Sequence, residues 1–564
     1  MYLVMKIIGA ILILIIHQSV TAEVLVSTKL GDIRGTTRIS RDGKKFNTFL
    51  GVPYAEPPIG DLRLENPKPA NPWNETLNAT SYPPMCPQLS TKGFTGQEDC
   101  LYLNIYTPQA QKNQTKLPVW VFIFGGRRML GHSSPYKYGP EYIMDKKVIF
   151  VTVNYRIGPM GFLSTEDSAI PGNYGLKDQQ AALRWVQENI DAFGGDPTNV
   201  TLSGGSSGAS DVSLHLISQS SKGFFHRCIS QSGQLLNFWT LMKPGKGRQA
   251  AWNYAKVVDC PAKTSEQLSI CLKSKPIEDL ILATRKLMHD FFLPDTMFGP
   301  VIEHKHVEGA FLVDNPAELM KTPSNIPWIL GVTADEGSLG STIVFANSKG
   351  LNHFSRHYRK IFPQFFGYEH SSGVENITDI LVSRYLEHRP LGESFYPFGE
   401  LFGSTHAYVG AIETALQYRG PKYFYLYDYK NHPDYFRNYG GISIGKNTKG
   451  TYVKYEIGPI HGEELISMFN YPYLLPPTIR GNDRIVSDQV LSLWYNFVTT
   501  GDPNDENEQI WKPVTTSNLE YLHINNLTLT MKDKLMWDEY QFWKKLDTSI
   551  LITSETHRPI WKES

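Results

Sequence analysis

The most informative stretch of the sequence is Asn199-Val-Thr-Leu-Ser-Gly-Gly-Ser-Ser-Gly-Ala209, which places a Gly-x-Ser-x-Gly pentapeptide between a β-rich run and an amphipathic helical run. This order is the sequence form of a nucleophile elbow. Gly204 and Gly208 have no Cβ, so the chain can turn sharply and expose the Ser206 hydroxyl above the positive N-terminus of the helix. Ser206 is therefore the candidate nucleophile.

A second match to the pattern, Gly441-Ile-Ser-Ile-Gly445, has a different context. It lies in a run of glycine and polar residues, with no strand predicted before it and no helix after it. Such a run predicts a Gly-rich loop. We therefore expect Ser443 to take no part in catalysis.

Continuous apolar runs around the elbow predict a buried sheet. Residues 119–124 and 148–154 are rich in β-branched and aromatic side chains, as in central strands that are covered on both faces. Apolar residues recur at helical spacing over 174–190, and residues 327–333 and 423–428 are predicted later strands. We predict an α/β fold with a mostly parallel central sheet flanked by helices and with reactive groups beyond the carboxyl ends of the strands.

Length and composition favour one large, neutral domain. No linker, repeat or charge block divides the 564 residues, and 55 basic residues balance 55 acidic ones. No stretch concentrates lysine and arginine enough to predict nucleic-acid binding. No paired Cys/His spacing predicts zinc, and no phosphate-binding glycine loop is present, so we expect no metal and no cofactor.

The N-terminus has the pattern of a secretory signal peptide. Lys6 precedes an apolar run over 7–16 and small residues before position 22, and this run is too short for a membrane span. We therefore divide the chain into a signal peptide (1–22), an enzyme-like domain (23–548) and a polar C-terminal tail (549–564). The mature protein is expected to be secreted and extracellular, with no membrane span.

Glycosylation motifs and cysteines agree with an extracellular compartment. Five cysteines in an oxidising space predict two bridges and one leftover thiol, and the local pairs are Cys86 with Cys100 and Cys260 with Cys271. Cys228 is expected to be a buried small side chain. Six sequons are candidate glycosylation sites: Asn74, Asn78, Asn113, Asn199, Asn376 and Asn526.

Two polar residues follow the later predicted strands in a suggestive order. Glu336 comes directly after the run 327–333, and His461 comes after the run 423–428 and a long loop. A serine hydroxyl needs an imidazole to take its proton and an acid to orient that imidazole. Ser206, Glu336 and His461 follow the chain order of an α/β-hydrolase triad. Taken alone, Glu336 also fits a surface turn, and His461 fits a helix-capping loop.

Further motifs in order along residues 25–545 resemble the type-B carboxylesterase and cholinesterase family, and most of all its insect secreted carboxylesterases. The motifs that carry the resemblance are Phe49-Leu-Gly-Val-Pro-Tyr-Ala-Glu-Pro-Pro58, Glu98-Asp-Cys-Leu-Tyr-Leu-Asn104, Asn154-Tyr-Arg156, Phe193-Gly-Gly-Asp-Pro197, Ser230-Gln-Ser-Gly233 and Asp335-Glu-Gly-Ser338.

This resemblance implies an α/β-hydrolase fold with a deep active-site gorge and a small-molecule ester as substrate. It implies that Ser206 is the nucleophile, Glu336 the acid and His461 the base. It also implies two disulfides and two structural ion pairs: Cys86–Cys100, Cys260–Cys271, Arg63–Glu98 and Arg156–Asp178.

Comparison with members of the resembled family narrows the range of candidate substrates. Only 13 residues (87–99) separate the first two cysteines and none is tryptophan, so the cation–π platform of cholinesterases is absent from that loop and choline esters are disfavoured. Trp239 matches an acyl-pocket aromatic of related esterases, with core packing as the alternative. The elbow reads Gly-Gly-Ser-Ser-Gly where juvenile-hormone esterases carry Gly-Gln-Ser-Ala-Gly, so that hormone is a weaker candidate.

The oxyanion hole departs from the resembled pattern. The family carries a His-Gly-Gly-Gly-like turn, whereas this chain reads Phe124-Gly-Gly-Arg-Arg128. By analogy the donors are the backbone amides of Gly126, Arg127 and Ser207. One interpretation is that the Arg127 side chain distorts or crowds this cradle and weakens catalysis. The other is that its guanidinium attracts an anionic ester or helps to hold the oxyanion.

A second class of function remains open at this point. Esterase-like domains of the same family also serve in adhesion and signalling without hydrolysing anything, and a neutral lipase is a third interpretation. Such binding relatives commonly lose a triad residue and carry a transmembrane segment. An enzyme is favoured because all three triad residues are present and no such segment is seen.

Overall fold

The computed structural model describes residues 23–557 except 110–114, 288–296, 347, 431–443, 447–451, 472–478, 507, 516–517, 526 and 547. The predicted signal peptide, Ser443 and the sequons at Asn113 and Asn526 lie outside the described residues.

A 13-stranded sheet forms the centre of the molecule, in the order β1-β2-β3-β7-β9-β8-β10-β11-β12-β13-β16-β17, with β4 beside β2. Separate hairpins are formed by β5 with β6 and by β14 with β15. The strands are β1 Val24–Thr28, β2 Gly31–Ile39, β3 Lys45–Pro53, β4 Leu77–Asn78, β5 Gln88–Ser90, β6 Gly93–Thr95, β7 Tyr102–Pro108, β8 Leu117–Ile123, β9 Ile149–Val153, β10 Gly195–Gly205, β11 Arg227–Gln231, β12 Trp328–Thr333, β13 Lys422–Tyr427, β14 Ile444–Lys446, β15 Tyr452–Lys454, β16 Tyr521–Asn525 and β17 Thr528–Lys532.

Helices connect and cover these strands. They are α1 Pro135–Tyr138, α2 Gly158–Phe162, α3 Tyr174–Asn189, α4 Ser207–Ile217, α5 Lys246–Val257, α6 Ser265–Ser274, α7 Ile277–Ala283, α8 Pro316–Leu319, α9 Ser338–Phe345, α10 Ser348–Phe365, α11 Val374–Leu381, α12 Phe395–Gly403, α13 Val409–Gln417, α14 Gly481–Thr500 and α15 Trp537–Lys545. Shorter 3₁₀ or π segments cover Gly60–Leu62, Ile143–Asp145, Ile190–Phe193, Gln219–Ser221, Thr284–Lys286, Val382–Leu386, Leu391–Glu393, Ser404–Tyr408 and Glu463–Ser467.

The central part of the sheet is parallel, as predicted. Strands β9, β8, β10, β11, β12, β13 and β16 run parallel to their neighbours in that order. Every residue of β9, β12 and β13 is buried, which explains why apolar residues dominate these strands without alternating with polar ones. The predicted strands at 119–124, 148–154, 327–333 and 423–428 match β8, β9, β12 and β13 to within one or two residues.

The edges of the sheet are antiparallel and were not predicted. Strands β1, β2, β3 and β7 pair antiparallel on one side, and β17 pairs antiparallel with β16 on the other. Along β1 and β17 partly buried residues alternate with exposed ones. Edge strands with one solvated face give only a weak alternating signal, so sequence reasoning passed over them.

Two disulfides and a free thiol account for the five cysteines. Cys86 is bonded to Cys100 and Cys260 to Cys271, while Cys228 is buried in β11. The two expected ion pairs are also present as paired hydrogen bonds. Arg63 contacts both carboxylate oxygens of Glu98 at 2.7 and 2.8 Å, and Arg156 contacts both of Asp178 at 2.8 and 2.7 Å.

The C-terminal segment continues the fold beyond residue 548. Ile550 and Ile552 are buried, and Leu551 forms an isolated β-bridge with Asn237. The described part of the proposed tail, 549–557, therefore packs against the domain, because its apolar residues cover core surface. No helix among the described residues is long and apolar enough to cross a membrane.

The second pentapeptide is only partly a loop. Its last two residues, Ile444 and Gly445, begin β14, which pairs antiparallel with β15. The expectation of a loop is therefore wrong for these two positions, because a hairpin partner follows closely in the sequence. This short strand leads into a hairpin and not into a helix, which separates it from the elbow at Ser206.

Candidate active site

A strained turn places Ser206 between β10 and α4. Its backbone has φ 57° and ψ −128°, a conformation that costs a non-glycine residue about 1–3 kcal/mol. A Cβ at Gly204 would lie 2.5 Å from the Gly208 carbonyl oxygen, and one at Gly208 would lie 2.3 Å from that of Ile123. The Ser206 amide donates to the Gln231 carbonyl at 2.8 Å. Close backbone packing therefore holds the elbow.

Ser206, His461 and Glu336 form a continuous hydrogen-bonded chain. The Nε2 atom of His461 lies 2.8 Å from the Ser206 Oγ, and its Nδ1 lies 2.6 Å from the Glu336 Oε2. The Glu336 side chain is only 1% exposed, while that of His461 is 18% exposed. This geometry can move the hydroxyl proton to an imidazole whose other nitrogen is fixed by a carboxylate.

Backbone contacts join the segments that carry Glu336 and His461. The Thr333 amide donates to the Glu336 Oε1 at 2.8 Å, which leaves Oε2 directed at the imidazole. Asp335 and Ile460 form an isolated parallel bridge immediately beside the two functional residues. This bridge holds Glu336, just beyond β12, beside the segment that carries His461.

Opposing effects act on the pKa of His461. Burial disfavours the charged imidazolium, but the Glu336 carboxylate and its hydrogen bond outweigh burial and raise the pKa of His461 above its usual value of 6.5. The positive charge of Arg127 acts in the opposite direction and lowers this pKa. Arg127 therefore lies close enough to the base to act on its charge.

A second carboxyl group, Glu464, lies beneath the triad. Burial and then the charge of Glu336 raise the pKa of Glu464 to about 8, so this group holds a proton at neutral pH. Its Oε1 lies 3.5 Å from the Ser232 Oγ and 3.4 Å from the Tyr425 hydroxyl. Sequence reasoning missed Glu464, although an acidic residue three positions after His461 was a signal.

The expected oxyanion turn, residues 125–128, has an unusual backbone. Gly126, Arg127 and Arg128 have φ values of 140°, 58° and 56°. Each positive φ at an arginine costs about 1–2 kcal/mol relative to the right-handed form. The Ser207 Oγ accepts hydrogen bonds from the amides of Gly126 at 3.1 Å and Arg128 at 3.3 Å. One of the three expected oxyanion donors, the Gly126 amide, is thus engaged by a side chain.

Arg128 is a further participant that the sequence did not single out. It is 2% exposed, and its guanidinium donates to Asp211 Oδ1 at 2.7 Å and to Ser210 Oγ at 2.6 Å. Gln179 donates to the other oxygen of Asp211 at 2.8 Å. A signal existed in the sequence, because Ser207, Ser210 and Asp211 follow the elbow at positions that share one helix face.

A cavity of about 340 Å³ opens above the triad. Ser206, His461 and Arg127 line it together with Trp239, whose Nε1 donates to the His406 carbonyl at 2.7 Å. Trp239 therefore lies at the cavity wall and not in the core. Other lining residues are mostly apolar: Leu130, Tyr138, Leu339, Ile343, Phe402, Ala407, Leu465 and Tyr471.

The described sequons differ in their surroundings. Asn74, Asn78 and Asn376 are exposed. Asn199 is half-buried, and its side-chain oxygen accepts a hydrogen bond from Arg227. A glycan fits the first three positions more readily than it fits Asn199.

Comparison with known proteins agrees with this architecture. A model of the carboxylesterase family matches residues 22–543. A juvenile hormone esterase from Tribolium castaneum is 34% identical over 556 residues, covering 92% of this chain and 93% of the relative. Esterase FE4 from Myzus persicae is 32% identical over 527 residues, covering 89% of each chain.

A solved structure is similar over nearly the whole chain. The crystal structure of juvenile hormone esterase from Manduca sexta with OTFP covalently attached has a TM-score of 0.83 and 27% identity, covering 93% of this chain and 99% of that chain. Its fold agrees with the mostly parallel sheet and flanking helices described above. The chain therefore belongs to the carboxylesterase family, has the α/β-hydrolase fold, and is a carboxylic ester hydrolase.

Proposed function

We propose that the chain hydrolyses small carboxylic esters through Ser206, His461 and Glu336, with a covalent acyl-enzyme intermediate. The observation that carries the proposal is the pair of contacts made by one imidazole, 2.8 Å to the Ser206 Oγ and 2.6 Å to the Glu336 Oε2. Nucleophile, base and orienting acid are thus within hydrogen-bonding distance before substrate arrives.

Acylation begins when the Ser206 Oγ attacks the ester carbonyl. His461 Nε2 takes the hydroxyl proton, and Glu336 stabilises the imidazolium that forms. The carbonyl oxygen becomes an oxyanion, and the amides of Arg127 and Ser207 donate to it. The Gly126 amide is the third donor, and it must be shared with the Ser207 Oγ that already accepts from it.

Collapse of this intermediate breaks the bond to the alcohol oxygen. The proton held on His461 Nε2 passes to that oxygen, the alcohol leaves, and the acyl group stays on Ser206 as an ester. Water then takes the place of the alcohol and gives its proton to His461 as it attacks the acyl carbon. The second collapse returns this proton to Ser206 and releases the carboxylic acid.

In this proposal, cationic side chains in the cavity alter which esters the enzyme prefers. Two cationic side chains, those of Arg127 and Lys137, line the cavity together with the triad. The resulting positive potential favours esters that carry a negative charge. Position 127 keeps its backbone amide whatever its side chain. We therefore propose that Arg127 changes the preference for charged esters and does not remove an oxyanion donor.

The shape of the cavity supports an apolar ester body. Trp239 stands at the wall where an acyl group would lie, and aliphatic and aromatic side chains form most of the remaining lining. We therefore propose Trp239 as part of the acyl pocket. The two disulfides and the exposed sequons at Asn74, Asn78 and Asn376 favour a secreted, extracellular enzyme.

Replacement of the nucleophile tests the proposal. Ser206→Ala removes the attacking oxygen but leaves the packed backbone of the elbow, and the expected loss of kcat on a short-chain aryl ester is on the order of a million-fold. Secretion and thermal stability of the variant are measured beside turnover. A variant that folds normally and still hydrolyses the ester within ten-fold of the wild-type rate would exclude Ser206 as the nucleophile.

A further inference from the structure

One face of helix α4 touches the oxyanion turn at several points. Ser207, Ser210 and Asp211 lie at positions i, i+3 and i+4 of this helix, and we call these three residues the helix clamp. All three are at most 1% exposed. Their side chains contact residues about 80 positions earlier in the chain, so the contacts join the nucleophile's own helix to the turn.

The first set of contacts fixes the backbone on both sides of Arg127. The Ser207 Oγ accepts from the amide before Arg127, which belongs to Gly126, and from the amide after it, which belongs to Arg128. These two bonds orient the peptide planes that flank the arginine amide. Any rotation of the turn toward an ordinary φ at Arg127 must break at least one of them.

The second set of contacts holds the end of the turn through its side chain. Arg128 bonds to Asp211 and Ser210, and its carbonyl oxygen accepts from the Gly158 amide at 2.6 Å. A buried guanidinium with a carboxylate partner cannot leave without stranding both charges. Arg128 is therefore fixed in space although its φ of 56° is unfavourable for an L-residue.

We propose that the helix clamp is a set of positioning residues that holds the arginine-containing turn in the shape of an oxyanion hole. Glycine adopts positive φ at little cost, whereas two arginines need external contacts to stay there. The proposal rests on the assignment of Ser206 as nucleophile and of the turn amides as oxyanion donors. It assigns to Ser207 a role for its hydroxyl in addition to that of its backbone amide.

Ser207→Ala tests the clamp with the smallest change. It deletes the acceptor of two amides and keeps the Ser207 amide itself. One oxyanion donor contributes a rate factor of about 100 to 1000, and a misaligned donor loses part of it. We therefore expect kcat on a neutral aryl ester to fall about 10-fold or more, with KM within about two-fold of the wild-type value. An unchanged kcat overturns the proposal, and a raised kcat shows that the hydroxyl competes for the Gly126 amide instead of holding the turn.

The same substitution is then made in an Arg127→Gly background. Glycine keeps φ near 58° without help, so Ser207→Ala should cost at most about three-fold relative to Arg127→Gly alone. An equal fall in both backgrounds overturns the proposal, because it means that the hydroxyl does not act through the strained turn.

A trifluoromethyl ketone separates positioning from general damage. The Ser206 Oγ adds to the carbonyl carbon of such a ketone, and the resulting oxyanion lies in the oxyanion hole. The inhibition constant of the ketone should therefore rise in Ser207→Ala by the same factor by which kcat/KM falls. The acid limb of the pH–rate profile should stay where it is in the wild type. An unchanged inhibition constant beside a lowered kcat overturns the proposal.

Two variants on the same helix complete the experiment. Ser210→Ala removes one contact of the Arg128 guanidinium, so its kcat is expected to fall several-fold. This variant tests the proposal independently if Ser207→Ala does not fold. Ser213→Ala is the matched control, since Ser213 is buried and bonds to the Ser210 carbonyl without touching the turn. Equal rates for these two variants overturn the proposal. Hydrolysis by Ser206→Ala within ten-fold of the wild-type rate would instead be a failure of the proposed nucleophile.

Discussion

The acid–base side of the site and the oxyanion turn are built in different ways. Glu336 lies just beyond β12, and a backbone bridge between Asp335 and Ile460 holds the loop of His461 beside it. The turn 125–128 has two arginines at positive φ and depends on side chains of α4. Glu336 and His461 are thus positioned by a backbone bridge, whereas the turn is positioned by side-chain contacts with α4.

This difference shows which contacts each side of the proposed site depends on. On the acid–base side, Glu336 follows β12 at the carboxyl edge of the parallel sheet, and a backbone bridge brings His461 beside it. The turn has accepted bulky cations where glycine is the unstrained choice, and its backbone remains in place through a buried ion pair. In the proposed site, Arg127 therefore brings a cation to the cavity wall while its backbone amide remains a candidate oxyanion donor.

The largest predicted effect belongs to the acid–base side. Glu336→Gln keeps the size of the side chain but no longer fixes the imidazole tautomer or stabilises its charged form, and kcat should fall about 10,000-fold. Glu464→Gln is the matched control. Because Glu464 carries a proton at neutral pH, its replacement by glutamine should lower kcat far less. Steady-state kinetics at pH 7 compares the two, and similar losses would contradict the assigned acid.

A smaller effect is predicted for charge on the oxyanion side. Arg127→Gly removes a cation near the base, and an interaction of about 1 kcal/mol with an anionic ester corresponds to roughly five-fold in rate. The ratio of kcat/KM for a carboxylate-bearing ester to that for a matched neutral ester should fall by this factor. Arg127→Lys retains the charge and should keep the wild-type ratio.

Two other outcomes of the Arg127→Gly experiment have clear meanings. A rise of ten-fold or more in kcat for the neutral ester would support crowding of the amide cradle by the arginine side chain. An unchanged ratio for the two esters would contradict the charge preference and leave the side chain without influence on substrate choice.

The pH dependence should link the two sides of the site. His461 must be neutral to act as base, and its pKa is raised, so kcat/KM should fall as pH drops through a midpoint above 6.5. Arg127 lowers this pKa, so Arg127→Gly should move the midpoint to higher pH. A pH–rate profile of both proteins checks this shift, and a midpoint that moves down would contradict the proximity of Arg127 to the base.

The smallest expected effect is that of Ser443→Ala. Ser443 matches the same pentapeptide as Ser206 but lacks the context of a strand that leads into a helix. Turnover should equal that of the wild type within error. Loss of activity comparable to that of Ser206→Ala would show that the context of the pentapeptide was misread.

The central strands and the triad candidates could be predicted from the sequence because each has a local signal. Strand β9 is apolar at four of its five positions, and Ser206 stands in an elbow between a strand and a helix. Glu336 and His461 follow predicted strands in the expected chain order. These signals depend on neighbouring residues alone, so no long-range contact was needed to find them.

The remaining features depend on contacts between distant residues. The bond from the Gly126 amide to the Ser207 Oγ joins residues 81 positions apart, and only the folded chain reveals it. The raised pKa of Glu464 arises from burial beside Glu336, which sequence spacing does not express. The edge strand β1 was not predicted because two of its five residues are exposed and the other three are only partly buried.

Covalent labelling of the nucleophile tests the central claim most directly. A fluorophosphonate forms a phosphorus–oxygen bond with an activated serine as fluoride leaves, so the wild-type protein should acquire one adduct. Peptide mass spectrometry should find it on Ser206, with the loss of ester hydrolysis in proportion to labelling. An adduct on Ser443, or complete inhibition with Ser206 unmodified, would contradict the account.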